Sequence, residues 1–320
     1  MTKSPVPPTT PDEPFVLVIG EALMDLVVQH GGTIDEVAAV PGGSPANVAL
    51  ALGRLGVPVE LVTWVGTDTF GTTITTHLSE SGVVVREPSI AAEKTSTAIA
   101  KLDERGAATY VFDVEWAPAP LEGFKDIQIL HTGSIAAVLE PGSQAILDAI
   151  DATQGQVLVT YDPNARPQLM GSPAEAAPPI EAVVSRADVV KASDEDLEWL
   201  YPGKTAEQAA LDWIERFDLP LLVVTRGKQG PMAFLGSDLR SSVAPAPVKV
   251  VDTVGAGDTF MGGLIDALWR RGIRGAEGRE KLRALTGHDL RRILQEAAEL
   301  ADIVVQRQGA NPPWAHELGR

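Results

Sequence analysis

The chain has 320 residues, 44% hydrophobic and 22% charged, enough apolar material for one large α/β domain or two smaller ones. Its net charge of -17 opposes a nucleic-acid backbone or an anionic membrane surface as partner. The absence of cysteine excludes disulfides, thiolate metal sites and cysteine nucleophiles, and fits the cytoplasm.

The first fourteen residues, MTKSPVPPTTPDEP, are proline-rich and polar and lack the apolar stretch of a secretory signal, so a disordered tail is expected over 1–14 ahead of one domain over 15–320. No run approaches the roughly 20 apolar residues of a membrane helix. Phe15 to Gly20 is a continuous apolar run that predicts a buried strand. Val27 to Val40, around Gly31-Gly32, reads as a short strand pair. Helical spacing over Ala46 to Leu55 and Phe70 to Ser81 brackets a predicted strand over Leu61 to Val65. Thr97 to Glu104 and Ala107 to Glu115 predict a hairpin turning at Arg105-Gly106. Further strands are predicted over Ile127 to His131, Val157 to Tyr161, Val189 to Lys191 and Leu221 to Thr225. Between them lie predicted helices over Ser143 to Ala152, Asp194 to Tyr201 and Ala206 to Phe217. The C-terminal part predicts a strand over Val248 to Val251, helices over Asp258 to Arg271 and Asp289 to Arg307, and a surface loop over Arg274 to His288. Buried strands alternating with helices indicate an α/β fold whose central, mostly parallel sheet is sandwiched by helices. The two hairpins break that rhythm and predict a small β appendage built from segments about 27–40 and 97–115; the plainer alternative is a decorative edge hairpin.

The most informative segment is VKVVDTVGAGDTFMGGLIDAL, Val248 to Leu268, in which a glycine turn, Gly255-Ala256-Gly257, opens an amphipathic helix with Phe260, Leu264 and Leu268 on one face. Glycines before a helix let backbone N–H groups converge on an anion, and the helix start adds partial positive charge. Such a turn can stabilise a phosphoryl group in flight. Asp258, at that helix start, is either a cap or a general base; a cap does not require two preceding glycines. Pro202-Gly203-Lys204-Thr205 mimics the end of a Walker A loop, but position 198 is Glu where that loop needs Gly. A dinucleotide fingerprint fails at Phe260, where its third glycine would stand.

These residues resemble the PfkB, or ribokinase-like, family of carbohydrate kinases. The run Asp252-Thr253-Val254-Gly255-Ala256-Gly257-Asp258-Thr259-Phe260 matches that family's C-terminal pattern, and Pro41-Gly42-Gly43-Ser44-Pro45-Ala46-Asn47-Val48-Ala49 its N-terminal one. The resemblance runs from Gly20 to about Pro313 and implies a ribokinase-like α/β domain with a small β-sheet lid over the sugar. It implies that Asp258 is the catalytic base and that Gly255, Ala256 and Gly257 form the anion hole. Asp25, Gly42, Gly43 and Asn47 would hold the sugar, and Arg166, in Asp162-Pro163-Asn164-Ala165-Arg166, would face the sugar or the incoming phosphate. ATP would meet Lys191, Ser193, Thr225, Gly227, Gly255, Gly257 and Asn311. Magnesium accompanies ATP; in the Lys191-Ala192-Ser193-Asp194-Glu195-Asp196 element, Ser193 and Asp196 stand where the family pattern has Asn and Glu, which implies a metal contact by Asp196 through water. Asp252 matches a ligand of the monovalent cation, such as potassium, that some relatives bind.

The implied reaction is transfer of the ATP γ-phosphate to a monosaccharide hydroxyl. Gly20-Glu21-Ala22-Leu23-Met24-Asp25 and the Asp162 to Arg166 run look closest to fructokinases, which makes fructose, at its 6-hydroxyl, the favoured acceptor. 2-Keto-3-deoxygluconate and ribose stay as alternatives, and a non-catalytic sugar sensor on the same fold is the rival from another class. Exposed lid strand edges predict a homodimer through the lid.

Overall fold

The computed structural model describes residues 13–28, 38–102 and 108–320. Positions 1–12 of the expected tail and both hairpin turns, Gly31-Gly32 and Arg105-Gly106, lie outside the described residues. In chain order the N-terminal half contains β1 (Phe15–Ile19), β2 (Leu23–Val28), β3 (Ala38–Gly42), α1 (Ser44–Arg54), β4 (Val59–Val62), β5 (Val65–Gly66), α2 (Thr69–Glu80), β6 (Val83–Val85), β7 (Ile90–Ala92), β8 (Thr97–Leu102), β9 (Ala108–Asp113), β10 (Ile127–Gly133) and α3 (Gly142–Ala152). The C-terminal half contains β11 (Leu158–Asp162), α4 (Pro167–Met170), α5 (Pro173–Val184), β12 (Val189–Ser193), α6 (Asp194–Leu200), α7 (Ala206–Phe217), β13 (Leu221–Thr225), β14 (Met232–Leu235), β15 (Leu239–Ser242), α8 (Ala256–Arg270), α9 (Gly278–Arg283) and α10 (Gly287–Val304).

Nine strands form the main sheet in the order β15-β14-β13-β12-β11-β10-β1-β4-β6. From β13 to β6 every pairing is parallel. Parallel strands are covered on both faces, which is why they read as unbroken apolar runs. Along β1, Val16 and Val18 face a core shared with α1, α2, α8, α9 and α10. Leu17 and Ile19 face the other core, shared with α3, α5, α6 and α7. The apolar face expected of α8 is buried, with Phe260 3% and Leu264 and Leu268 0% exposed. Two glycines set how closely α8 packs: a Cβ on Gly262 would lie 2.7 Å from Ala51 Cβ on α1, and one on Gly263 would lie 3.1 Å from Ala297 Cα on α10.

Several elements depart from the sequence reading. Val248 to Val251 forms no strand; Val250 and Val251 are more than half exposed, so β-branching there does not report burial. The expected loop over Arg274 to His288 contains α9, whose Leu282 is buried beside Ile273 while its charged residues face outward. This segment closes the end of the sheet where the parallel strands begin: the Gly275 N–H donates to Gln128 O at 2.8 Å and Arg279 pairs with Asp188 at 2.6 Å. The run Leu61 to Val65 divides between β4 and β5. The β14–β15 hairpin adds two antiparallel strands at one edge. α5 carries Pro178 and Pro179 internally, which hides it from propensity, but a capping box between Ser172 and Glu175 starts it and Ala176, Ile180, Val183 and Val184 bury it.

The two hairpins make a separate four-stranded sheet in the order β3-β2-β8-β9. Each hairpin is antiparallel, and β2 and β8 join them in parallel from Met24↔Thr97 to Val28↔Lys101. The first strand pair begins at Leu23, four residues before the reading from sequence, because the chain leaves β1 and enters this sheet after only Gly20, Glu21 and Ala22.

Candidate active site

The candidate residues gather at the carboxyl ends of the parallel strands, where open α/β sheets place their ligands. β1 delivers Glu21, β11 ends at Asp162, β12 at Ser193 and β13 at Thr225. Asp258 is the third residue of α8, is 6% exposed, and does not cap it: Gly255 is the N-cap, in left-handed backbone, with no side-chain cap bond. Its carboxylate instead meets three residues from two other segments. Oδ1 accepts from Ser44 Oγ at 2.7 Å and from Asn164 Nδ2 at 3.1 Å, and Oδ2 accepts from Asn47 Nδ2 at 2.8 Å. Asn164 Nδ2 also donates to Ser44 Oγ at 2.7 Å. The carboxylate is thus held in one orientation by donors from both the α1 start and the loop after β11. Capping therefore does not account for where this carboxylate points, since its bonds go to α1 and the loop after β11.

Asp25 sits on β2 against Gly42 of the neighbouring β3; a Cβ on Gly42 would lie 2.1 Å from Asp25 Oδ2. Burial pushes the Asp25 carboxyl up to about 6, with the Arg166 charge opposing and that of Asp258 adding. Gly43 has φ of +103° and its added Cβ would be 2.5 Å from the Glu21 carbonyl oxygen, so only glycine fits the turn into α1. Arg166 folds over its own loop, donating from Nη1 to Asn164 Oδ1 at 2.6 Å and to the carbonyls of Asn164 and Ala165 at 3.0 Å.

On the other side of Asp258, Lys191 Nζ lies 3.1 Å from where a Gly257 Cβ would be, and pairs with Asp162 Oδ2 at 2.7 Å. Both residues of this pair are buried. Burial alone would lower the lysine, but the charges of Asp162, Asp196 and Asp258 outweigh it and raise it, so the ammonium persists. Ser193 and Thr225 are register partners across β12 and β13. Asp196 Oδ2 accepts from Ser193 N at 2.9 Å and Oδ1 from Ala165 N at 2.8 Å, a capping box that also ties α6 to the loop after β11. Each oxygen keeps a second lone pair, so the residue can still turn toward a hydrated cation. Among the described residues there is no group of three or more His, Asp or Glu that could hold a metal alone. An ion here would need phosphate and water for most of its shell. Asp252 Oδ2 accepts from Gly309 N at 2.9 Å and Oδ1 from Val254 N at 3.0 Å, pinning the glycine turn to the C-terminal loop. Gly227 opens a short turn after β13 with open space beside it, and Asn311 spends its Oδ1 on Arg54 at 2.6 Å.

A model described as pfkB family carbohydrate kinase matches residues 13–317. The chain belongs to that family. Among curated relatives of this carbohydrate kinase, a fructokinase of Klebsiella pneumoniae is 34% identical over 268 residues, covering 81% of this chain and 85% of its own. A probable fructokinase of Arabidopsis thaliana is 33% identical, covering 79% and 81%. Among solved structures, Xylella fastidiosa fructokinase with bound ATP superposes with a TM-score of 0.80 at 26% identity, over 95% of this chain and 97% of its own. A Vibrio cholerae O395 fructokinase double mutant in fructose, ADP and potassium ion bound form superposes with a TM-score of 0.73 at 28% identity, over 93% and 94%.

Within this pfkB chain the structure brings Asn47 onto Asp258, Asp25 against Gly42, Lys191 beside Gly257, and Ser193 beside Thr225. It turns the side chain of Arg166 onto its own loop and that of Asn311 onto Arg54 at the end of α1. Four site residues were not singled out from sequence: Glu21, Ser44, Asp162 and Asn164. All four stand inside the runs that carried the family resemblance, and an unassigned polar residue within such a run was the available signal. Glu21 is 5% exposed and accepts weakly from the N–H groups of Ser44 and Ala136 at 3.4 and 3.3 Å; burial pushes its carboxyl up to about 7.

Proposed function

We propose that the chain transfers the γ-phosphate of ATP to a monosaccharide, D-fructose in first place, at its 6-hydroxyl. The observation that carries this reading is the Asp258 carboxylate, which turns from its own helix toward Ser44, Asn47 and Asn164, with the glycine turn on one side and Asp25 on the other. The fructokinase relatives support the choice of sugar. Asp25, Asn47, Arg166 and the backbone at Gly42 and Gly43 hold the sugar hydroxyls. Asp258 Oδ2, whose one donor among the described residues is Asn47, takes the proton of the attacking hydroxyl. The N–H groups of Gly255 and Gly257 would face the phosphoryl charge as it develops, with the Lys191 ammonium beside Gly257, and the Ala256 N–H, which donates to Thr253 O at 3.2 Å, would have to leave that carbonyl to join them. Lys191, Ser193, Thr225, Gly227 and Asn311 line the nucleotide side. Asp196, through water, would hold magnesium, which when bound with ATP neutralises phosphate charge. Asp252 would supply one ligand to potassium.

The lid sheet would close over the sugar and exclude water. Its outer strands β3 and β9 stand at the two edges of this sheet and expose Val40 and Val111, both 46% exposed, which supports a homodimer through the lid. No helix among the described residues is long and apolar enough to cross a membrane. The cysteine-free composition supports a cytoplasmic setting.

ADP release measured over a panel of sugars tests the reading. Fructose is expected to give the highest kcat/KM, ahead of ribose and 2-keto-3-deoxygluconate, and EDTA to abolish turnover. Saturable sugar binding without ADP would instead favour a sensor.

A further inference from the structure

Asp162 is fully buried at the end of β11. Its two carboxylate oxygens serve two different loops. Oδ1 accepts from the Asn164 N–H at 3.2 Å, the local turn by which an aspartate shapes its own backbone. That turn holds Asn164 at φ +35°, a left-handed conformation that asparagine tolerates better than most residues, and from there its amide reaches Asp258. Oδ2 accepts from Lys191 Nζ at 2.7 Å. Among the described residues Asp162 is the one acceptor of that buried ammonium, which leaves two of its three N–H groups unspent beside Gly257. A buried ammonium with unspent donors is costly unless an anion arrives to use them.

Resting on the kinase reading above and going beyond it, we propose that Asp162 is a positioning residue that couples the two halves of the site, setting Asn164 against the base with one oxygen and aiming the Lys191 ammonium at the phosphate turn with the other. A purely structural ion pair would tolerate neutralisation of both members, since apolar replacements of buried pairs are often neutral or stabilising. The coupling role predicts something different. Loss of the cation weakens the phosphate side, and loss of the turn acceptor additionally weakens the base side.

The test is steady-state kinetics with ATP and the preferred sugar varied separately, alongside thermal unfolding. Asp162→Asn keeps an oxygen for the turn but removes the charge. It should therefore behave like Lys191→Met, with kcat/KM for ATP down about 10- to 100-fold and the sugar KM little changed. Asp162→Ala, which also loses the turn acceptor, should lower kcat further. Should a single variant fail to fold because its partner charge is stranded, the double variant Asp162→Asn/Lys191→Met carries the test. It is expected to fold and to lose no more ATP kcat/KM than Lys191→Met alone. The proposal is overturned if Lys191→Met leaves kcat/KM for ATP near wild type, if Asp162→Ala and Asp162→Asn are kinetically identical, or if the double variant regains wild-type turnover. ADP release by the wild-type chain is the control. Without it the kinase reading itself fails, whereas with it and unaffected variants only the coupling fails.

Discussion

Adjacent glycines Gly42 and Gly43 should respond to alanine in opposite ways. Gly42 has no unusual backbone angle, and the nearest atoms to an added Cβ are Asp25 Oδ2 at 2.1 Å, Asp25 Cγ at 3.0 Å and Leu23 Cδ1 at 3.5 Å. A side-chain carboxylate can rotate away, so Gly42→Ala should cost about 1 kcal/mol of stability or less. The displaced carboxylate, however, no longer meets the sugar. Losing one charge-assisted hydrogen bond is worth about 1.5–3 kcal/mol, and at about 1.4 kcal/mol per decade the sugar KM should rise roughly 10- to 100-fold. Gly43→Ala meets backbone: Glu21 O at 2.5 Å and Ala22 Cα at 2.9 Å, at a φ of +103°. It should lower Tm without a selective effect on the sugar. Sugar titrations at saturating ATP, paired with thermal melts, separate the two. A Gly42→Ala protein with unchanged sugar KM would refute the assignment of Asp25 to the sugar.

Asp258→Asn should fold and keep a nucleotide-induced rise in Tm, yet turn over at least about a hundredfold more slowly; near-normal kcat would remove the base assignment. Because the Asp25 carboxyl titrates at about 6, its ionised form, the better acceptor for sugar hydroxyls, is lost as pH falls through that value. Sugar KM should therefore rise on acidification, and Asp25→Asn should flatten that profile. Glu21 holds its proton more tightly in the folded chain, at about 7, than at the ordinary value of 4.5. Its contribution to stability is present below about 4.5 and is lost as pH rises through about 7. Urea midpoints of Glu21→Gln minus wild type should increase over that window and then level off; a constant difference would count against the buried carboxyl.

The parallel strands were legible because each is buried on both faces and so forms an apolar run bounded by polar or glycine positions, as from Phe15 to Gly20. The glycine turn was legible for a different reason: few backbone conformations bring several N–H groups together, and the residues that permit them are few. α9 was not, because one buried leucine, Leu282, among charges leaves no periodic stripe. Val248 to Val251 misled in the other direction, since Val250 and Val251 stand in solvent. Nor were Ser44, Asp162 and Asn164. Each is an ordinary turn or cap residue by type, and its meaning comes from convergence across the chain: Ser44 bonds a residue 214 positions away and Asp162 one 29 positions away.

The lid sheet has a consequence for how the chain assembles. Its central seam joins Met24 to Thr97, about seventy residues apart, so neither hairpin completes the sheet by itself. Closing so long a loop is entropically unfavourable until β1, β4 and β6 have already condensed. The cover should therefore be the last unit to form and the first to open, with amide hydrogens of β2 and β8 exchanging well before those of β10 and β11.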